Sequence, residues 1–500
     1  MKVESGILEK LEWIYRSLPF FAPELVLCAG ILLVIIAGIS IPSLRSGSAT
    51  RGIVLFALLA TGVSLVITLL DLGKQSMPVV LFSGMIRSDD FSAWLKMLCD
   101  VAGMMTFLMS LQRGLIRKYV PEYTALVLAV MLGAHLLLMS TNLVMVFLSI
   151  ELISLSSYVL TGYTFGKTGA EGSLKYFLFG ATASATMLYG FTLLYGLTGT
   201  ADIASTEFAD HLHLHQSNLL LVAGLLSLAG FLFKVAATPM HVWAPDVYEA
   251  APMPVVALFS VVPKLAGLGI LTRFVLAVNA YGQSLIDWQF VVALIAIITI
   301  SAGNFGALRQ RSPKRMMAYS SIAQSGFLLI GVAAFTPQGM QFMLFYAAIY
   351  TAANFLVFFY LQYFESLGIV TIPDFAGSGR SSPLEHTFLL TGLISLTGIP
   401  PTAGFTAKLL IFTGLYGTYQ SSGQSFLLWV LVLGLLNTVI SLFYYLRIPL
   451  NAFLKAGSRT PTEYVTWKNF FGLILVLAIL LLFFRPNLLM GWINKITFVF

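Results

Sequence analysis

FLFKVAATPMHVWAPDVYEAAPMPVVALFSVVPKLAG, residues Phe231 to Gly267, is a polar interruption in an otherwise apolar chain. Lys234 and Lys264 stand here between flanks long enough to span a bilayer, and Thr238-Pro239, Pro245, Pro252, Pro254 and Pro263 break or kink the helices that carry them. An ionisable group beside a broken helix at membrane depth is costly and marks a functional site by default. Irregular backbone survives there only where protein or a water-filled cavity satisfies it. The stretch therefore reads as part of an ion path.

Composition sets the class of the whole. The 500 residues are 58% hydrophobic and only 10% charged, with a mean hydropathy of +0.89. Soluble domains carry about a quarter charged residues, so this is an all-α polytopic membrane protein. Its net charge of +7 comes with no basic arm or aromatic-interleaved basic patch, which excludes a nucleic-acid partner and leaves the lipid bilayer as the surroundings. Cys28 and Cys99 lie in apolar segments without CxxC spacing, so neither a disulfide framework nor a cysteine-ligated iron-sulfur cluster is indicated.

The opening residues, MKVESGILEKLEWIYRSLPFF, mix charge signs and lack a small-residue cleavage site, which predicts a short interfacial helix. Apolar runs follow near residues 22–43, 52–71, 91–111, 122–140, 142–165, 172–197, 218–244 and 253–279. Six more lie near 289–308, 315–335, 339–364, 385–418, 425–446 and 468–485, about fourteen spans in all. Arg45 and Arg51, Arg113 with Arg117 and Lys118, Lys167, Arg309 with Arg311, Lys314 and Arg315, and Arg447 with Lys455 and Arg459 all follow odd-numbered spans. The positive-inside rule makes those loops cytoplasmic and puts both termini on the other side of a bacterial inner membrane. One opposite loop holds His211, His213 and His215; a solvated surface is the better reading than a metal site.

Breaks recur at matching places. Counting spans from 122, the fourth is interrupted at Ala237-Thr238-Pro239; counting again from 289, the fourth is interrupted at Gly398-Ile399-Pro400-Pro401. Five is odd, so the second unit enters the membrane upside-down, the inverted-repeat plan of many secondary transporters. The expected organisation is three peripheral helices within 1–121, repeats over 122–280 and 288–449, and a last span within 450–500.

Glu151 sits mid-span with Ser154 and Tyr158 on a similar face. Lys234 precedes its break, Lys408 follows the second, and Lys264 follows Pro263. Each reads as a proton carrier, against the alternative of a helix-locking or snorkelling charge. Lys175, nearer a helix end, and His241, just past the first break, are further relay candidates, and Asp246 and Glu249 in the loop after that break read better as solvated charges than as intake carboxylates. A charged lysine at the bilayer centre costs about 3 kcal/mol, while removing its proton at neutral pH costs about 4.6 kcal/mol. The two forms are nearly balanced, and a carboxylate moving toward or away from the amine can tip them.

FLSIELISLSSYVLTGY, EGSLKYFLFG, FKVAATPMHVWAPDVYEAAPMPVVA, SPKRMMAYSSIAQSGF and LTGIPPTAGFTAKLLIF resemble the antiporter-like membrane subunits of respiratory complex I, most closely the N type of bacterial NADH:quinone oxidoreductase. A lysine at 408, where the M type carries glutamate, and no long lateral helix after the last span, as in the L type, agree with that. The resemblance implies fourteen helices in two inverted five-helix repeats, each with one broken helix, and proton translocation coupled to electron transfer from NADH to quinone. It implies Glu151, Lys234, Lys264 and Lys408 as the proton-transfer axis, with Lys175 and His241 beside it. It implies no cofactor in this chain, with NADH, FMN, iron-sulfur clusters and quinone held by partner subunits, and the other membrane-arm subunits as neighbours. A subunit of a multi-subunit cation/proton antiporter and a non-transporting scaffold are the competing readings.

Overall fold

Prolines start many of these helices and glycines end several. Pro23, Pro121, Pro313, Pro337 and Pro383 stand in the first two positions of their helices, where a missing N–H leaves no bond unmade. Gly199, Gly398 and Gly423 close three helices in the left-handed conformation that an L side chain resists. The computed structural model describes residues 12–41, 50–73, 78–112, 119–214, 218–279, 286–457 and 466–498. The first eleven residues, Arg45, Arg113, Arg117, Lys118, His215 and Arg459 lie outside them.

In chain order the helices are α1 (Ala22–Ser40), α2 (Thr50–Asp71), α3 (Asp90–Ser110), α4 (Val120–Met139), α5 (Leu143–Thr161), α6 (Lys167–Thr198), α7 (Thr206–Leu214), α8 (Asn218–Val235) and α9 (Ala244–Ala250). They continue as α10 (Met253–Val278), α11 (Trp288–Leu308), α12 (Pro313–Ala333), α13 (Pro337–Ser366), α14 (Pro383–Thr397), α15 (Ala403–Ser422), α16 (Ser425–Leu454), α17 (Thr466–Phe484) and α18 (Asn487–Ile493). One antiparallel pair, β1 (Val79–Leu81) and β2 (Ile86–Ser88), is the departure from the all-helix expectation.

Among the described residues, twelve helices are long and apolar enough to cross a membrane, thirteen if the bent pair α17–α18 is one span, against the expected fourteen. The difference lies at 385–418, where the run expected as one span is two shorter helices, α14 and α15, on either side of the break. The first break lies between α8 and α9, over residues 236–243, and the second between α14 and α15, over residues 398–402. The Thr238–Pro239 and Pro400–Pro401 peptides in these breaks are both cis.

Contacts divide the chain into two compact units, one of Met1–Lys234, Val261–Asp287 and Ile496–Phe500, the other of Val235–Ser260 and Trp288–Lys495. The first cut falls beside Lys234 and the second two residues before Pro263. In the first unit α1 to α5 pack through their apolar faces, with Leu27, Leu95, Val127, Leu137 and Ile153 fully buried. In the second, α11 and α12 approach most closely at two glycines. A Cβ on Gly303 would meet Ala323 N at 2.4 Å, and one on Gly326 would meet Ala296 O at 2.7 Å. The most apolar window of α10 is buried throughout, as expected of a helix hydrophobic on every side.

Candidate functional site

In the first unit the polar centre is built by α5, α6, α8 and α10. Lys234 is the next-to-last residue of α8 and is 1% exposed. Its Nζ donates to Ser154 Oγ on α5 at 2.6 Å, and that hydroxyl in turn donates to Ile150 O at 2.6 Å. The Phe233 ring lies 5.7 Å from the same ammonium. Glu151, one turn before Ser154, accepts from Ser184 Oγ of α6 at 2.5 Å. No carboxylate oxygen of the described residues comes within 4.0 Å of Lys234 Nζ, although Glu151 still attracts it through space. Lys234 and Glu151 are thus held by two different serines, Ser154 and Ser184, rather than by each other. Lys264 on α10 is also buried.

The second unit holds its lysine differently. Lys408 on α15 reaches back across the break, and its Nζ donates to Thr397 O, at the end of α14, at 2.8 Å. The Phe327 ring lies 4.2 Å beneath it. Gly398 makes this possible: its φ is +84°, and a Cβ there would sit 2.7 Å from Lys408 Cδ. Beside the amine runs a buried polar chain. Gln324 Nε2 donates to Leu396 O at 2.8 Å and to Tyr445 Oη at 3.2 Å, and Tyr346 Oη donates to Gln324 Oε1. Tyr350 Oη donates to Ser260 O at 2.8 Å, and Ser321 Oγ lies 3.2 Å from Tyr350 and 3.1 Å from Tyr248.

The remaining candidates divide. His241 is half-buried in the first break, and its Nδ1 has no hydrogen-bond partner. Lys175 pairs with Glu171 at 2.8 Å, one turn before it on α6, with 42% of its side chain exposed. Asp246 and Glu249 both hold Arg315 Nη1, at 3.0 and 2.8 Å. Glu249 also lines a cavity of about 130 Å³ together with Lys314 and Glu365, which are themselves paired at 2.8 Å. Of the histidine run, His211 faces Thr198 O at 2.6 Å, and no metal-binding group of three or more His, Cys, Asp or Glu occurs among the described residues.

Sequence reasoning passed over two buried ionic groups in the first unit. Arg273 of α10 makes two bonds of 2.7 Å to the Asp89 carboxylate and donates Nε to Leu138 O at 3.2 Å. Glu24, Lys96, Asp100 and His135 meet among α1, α3 and α4. The available signal was Lys96 and Asp100 standing four apart inside one apolar run.

Residues 140–441 match the family model described as the membrane-spanning part of NADH:quinone oxidoreductase and Mrp antiporter subunits. The chain belongs to this family. It is 36% identical over 488 residues to NADH-quinone oxidoreductase subunit N of Chlorobium chlorochromatii, covering 94% of this chain and 93% of that one. Its fold is similar to a chain of respiratory complex I from Thermus thermophilus, with a TM-score of 0.79, 28% identity, and coverage of 95% and 100% of the two chains. A chain of the Mrp complex from a Dietzia species shares the fold at a TM-score of 0.80 and 21% identity, covering 95% of this chain and 96% of that one.

Proposed function

We propose that this chain is a proton-translocating membrane-arm subunit of an NADH:quinone oxidoreductase, the N-type subunit, and that Glu151, Lys234, Lys264 and Lys408 carry the proton. The observation that bears most weight is Lys234, buried at the end of a broken helix and held by Ser154, which stands one turn from Glu151 on α5. When the carboxylate approaches, the ammonium is favoured; when it withdraws, desolvation favours the neutral amine and the proton leaves. Lys408 and its neighbouring Gln324–Tyr346–Tyr445 chain provide the second station. His241, in the first break, is a further relay candidate. Lys175, paired on a half-exposed face, stands at the margin of the path.

NADH, FMN, iron-sulfur clusters and quinone belong to partner subunits on this reading, and this chain contributes the membrane conduit. Its neighbours are the other membrane-arm subunits, its location is the bacterial inner membrane, and its termini face away from the cytoplasm. The near full-length similarity to a quinone oxidoreductase subunit favours this reading over a cation/proton antiporter complex. In purified complex reconstituted in vesicles, Lys234→Ala or Glu151→Gln is expected to lower protons translocated per NADH oxidised. An unchanged ratio in both variants overturns the proposal in favour of a scaffold role.

A further inference from the structure

Outside this axis, the first unit buries a second set of ionisable side chains. His135 of α4 lies between two carboxylates, its Nδ1 3.1 Å from Glu24 Oε1 of α1 and its Nε2 3.1 Å from Asp100 Oδ1 of α3. Lys96 Nζ lies 2.9 Å from Glu24 Oε1 and 3.4 Å from Met139 Sδ, and Ser64 Oγ of α2 donates to Asp100 Oδ2 at 3.0 Å. Glu24, Asp100, Ser64 and His135 are fully buried and Lys96 is 3% exposed. These are the titratable side chains facing the imidazole, with Cys28 beside Glu24 and Cys99 beside Asp100.

Charge balance fixes what the group holds. Two carboxylates and one ammonium leave one uncompensated negative charge, which burial makes costly by several kcal/mol. One proton, on His135 or shared with a carboxylate, brings the group to neutrality. The group is not closed on itself, however. Glu24 Oε2 is buried with no hydrogen-bond partner among the described residues, while His135 Nε2 and Asp100 Oδ1 face each other at 3.1 Å. A structural ion cluster satisfies its atoms; a buried carboxylate oxygen left over beside a facing imidazole and carboxylate suits a proton that changes places.

Depth and access are also consistent. Counting from the α1 start, α2 end, α3 start and α4 end, all five residues lie within about 15 Å of the same end of the bundle. Leu81, Ile86 and Met139 form a buried apolar cluster beside β1 and β2, with Phe20, Phe21 and Phe82 packed on it. Met139 belongs both to that plug and to the ammonium's surroundings.

We propose that Glu24, Lys96, Asp100 and His135 form a second proton-holding site, in which one proton moves between His135 Nε2 and Asp100 Oδ1 behind the Met139 plug. In the internal step the N–H bond breaks, an O–H bond forms, and the charge of the group is unchanged. Release to another acceptor lowers it by one, and uptake restores it. The proposal rests on the chain being a proton-translocating subunit.

The test uses the intact complex in vesicles. Asp100→Asn with His135→Gln removes both proton carriers in a charge-balanced way, and is expected to lower protons per NADH while NADH oxidation continues. Asp100→Glu, which keeps the acid, is expected to pump at the parental ratio. Redox-induced infrared difference spectra of the parent complex are expected to show a deuterium-sensitive carboxylic acid band that Asp100→Asn removes. Should the double variant fail to assemble, the infrared band in the parent and in Asp100→Glu decides. A parental ratio in the double variant, or no such band in the parent, overturns the site. If Lys234→Ala lowers the ratio while the double variant does not, only this inference fails; if neither does, the translocation reading fails with it.

Discussion

Replacing Gly398 by alanine separates the cost of a helix ending from the cost of disturbing the lysine beside it. Gly398 has φ +84°, and Gly423, which closes the next helix, has φ +68°. An L residue in this region costs about 1–2 kcal/mol, so both Gly398→Ala and Gly423→Ala should lose about that much stability. Their surroundings differ. No atom lies within 4 Å of a Cβ on Gly423, whereas one on Gly398 meets Lys408 Cδ at 2.7 Å, Cε at 3.3 Å and Cγ at 3.4 Å. Lys408 is anchored at both sides, by Thr397 O and the Phe327 ring, so yielding means losing a charge-assisted bond worth about 1.5–3 kcal/mol. Gly398→Ala should therefore lose about 2.5–5 kcal/mol in total. Thermal melting of the purified complex and protons per NADH in vesicles measure the two effects. Both variants should melt lower, and only Gly398→Ala should pump less. Equal pumping in the two variants would refute the assignment of Lys408 to the proton path.

Other expectations follow the same geometry. Arg273→Leu strands the buried Asp89 carboxylate and should cost about 3–5 kcal/mol, read as loss of assembled complex on native gels; adding Asp89→Asn should recover much of it. Arg315→Ala frees Asp246 and Glu249, but all three are part-exposed, so the melting temperature should change by less than the equivalent of about 1 kcal/mol and the change should shrink at high salt. Lys175→Ala removes only a half-exposed helix pair and should cost about 0.5 kcal/mol or less, with pumping nearer to the parent than in Lys234→Ala. Gly303→Val drives a branched side chain into the Ala323 backbone and should destabilise by at least about 1–3 kcal/mol, measured as a lower melting temperature.

What was legible in the sequence is what a single segment carries. Proline at 239 and at 400–401 inside apolar runs located both breaks, but proline alone does not decide a break, since Pro263 and Pro449 stay inside α10 and α16. The spacing of Ser154 from Glu151 put both on one face of α5, and there the structure hangs Lys234 on the serine. Pairings between distant segments were illegible. Glu24 lies in the first turn of its helix and His135 in the next-to-last turn of its own, where each looks like a charge near enough to a helix end to reach water. Only the packing of α1, α3 and α4 turns them inward. Lys175 shows the opposite failure: a charge inside an apolar run is no guide to depth when Glu171, one turn away, pairs it at the surface.

The two lysines beside the breaks share a physical device that neither motif displays alone. Lys234 is in the last turn of α8, and Lys408, although it belongs to α15, donates to the last carbonyl of α14. A helix C-terminus leaves carbonyls unpaired and carries the negative end of the helix dipole. Breaking a span thus creates a site that favours a cation. The dipole contributes about 0.3–2 kcal/mol against an insertion cost of about 3 kcal/mol, so it offsets the cost only in part. Full compensation, as from a direct carboxylate, would fix the proton in place; none would expel it. A lysine held by a helix end, a hydroxyl or an aromatic face stays within reach of both forms. That partial compensation is the condition a proton carrier must meet, and it explains why Lys234 and Lys408, two of the four proposed carriers, stand beside the breaks.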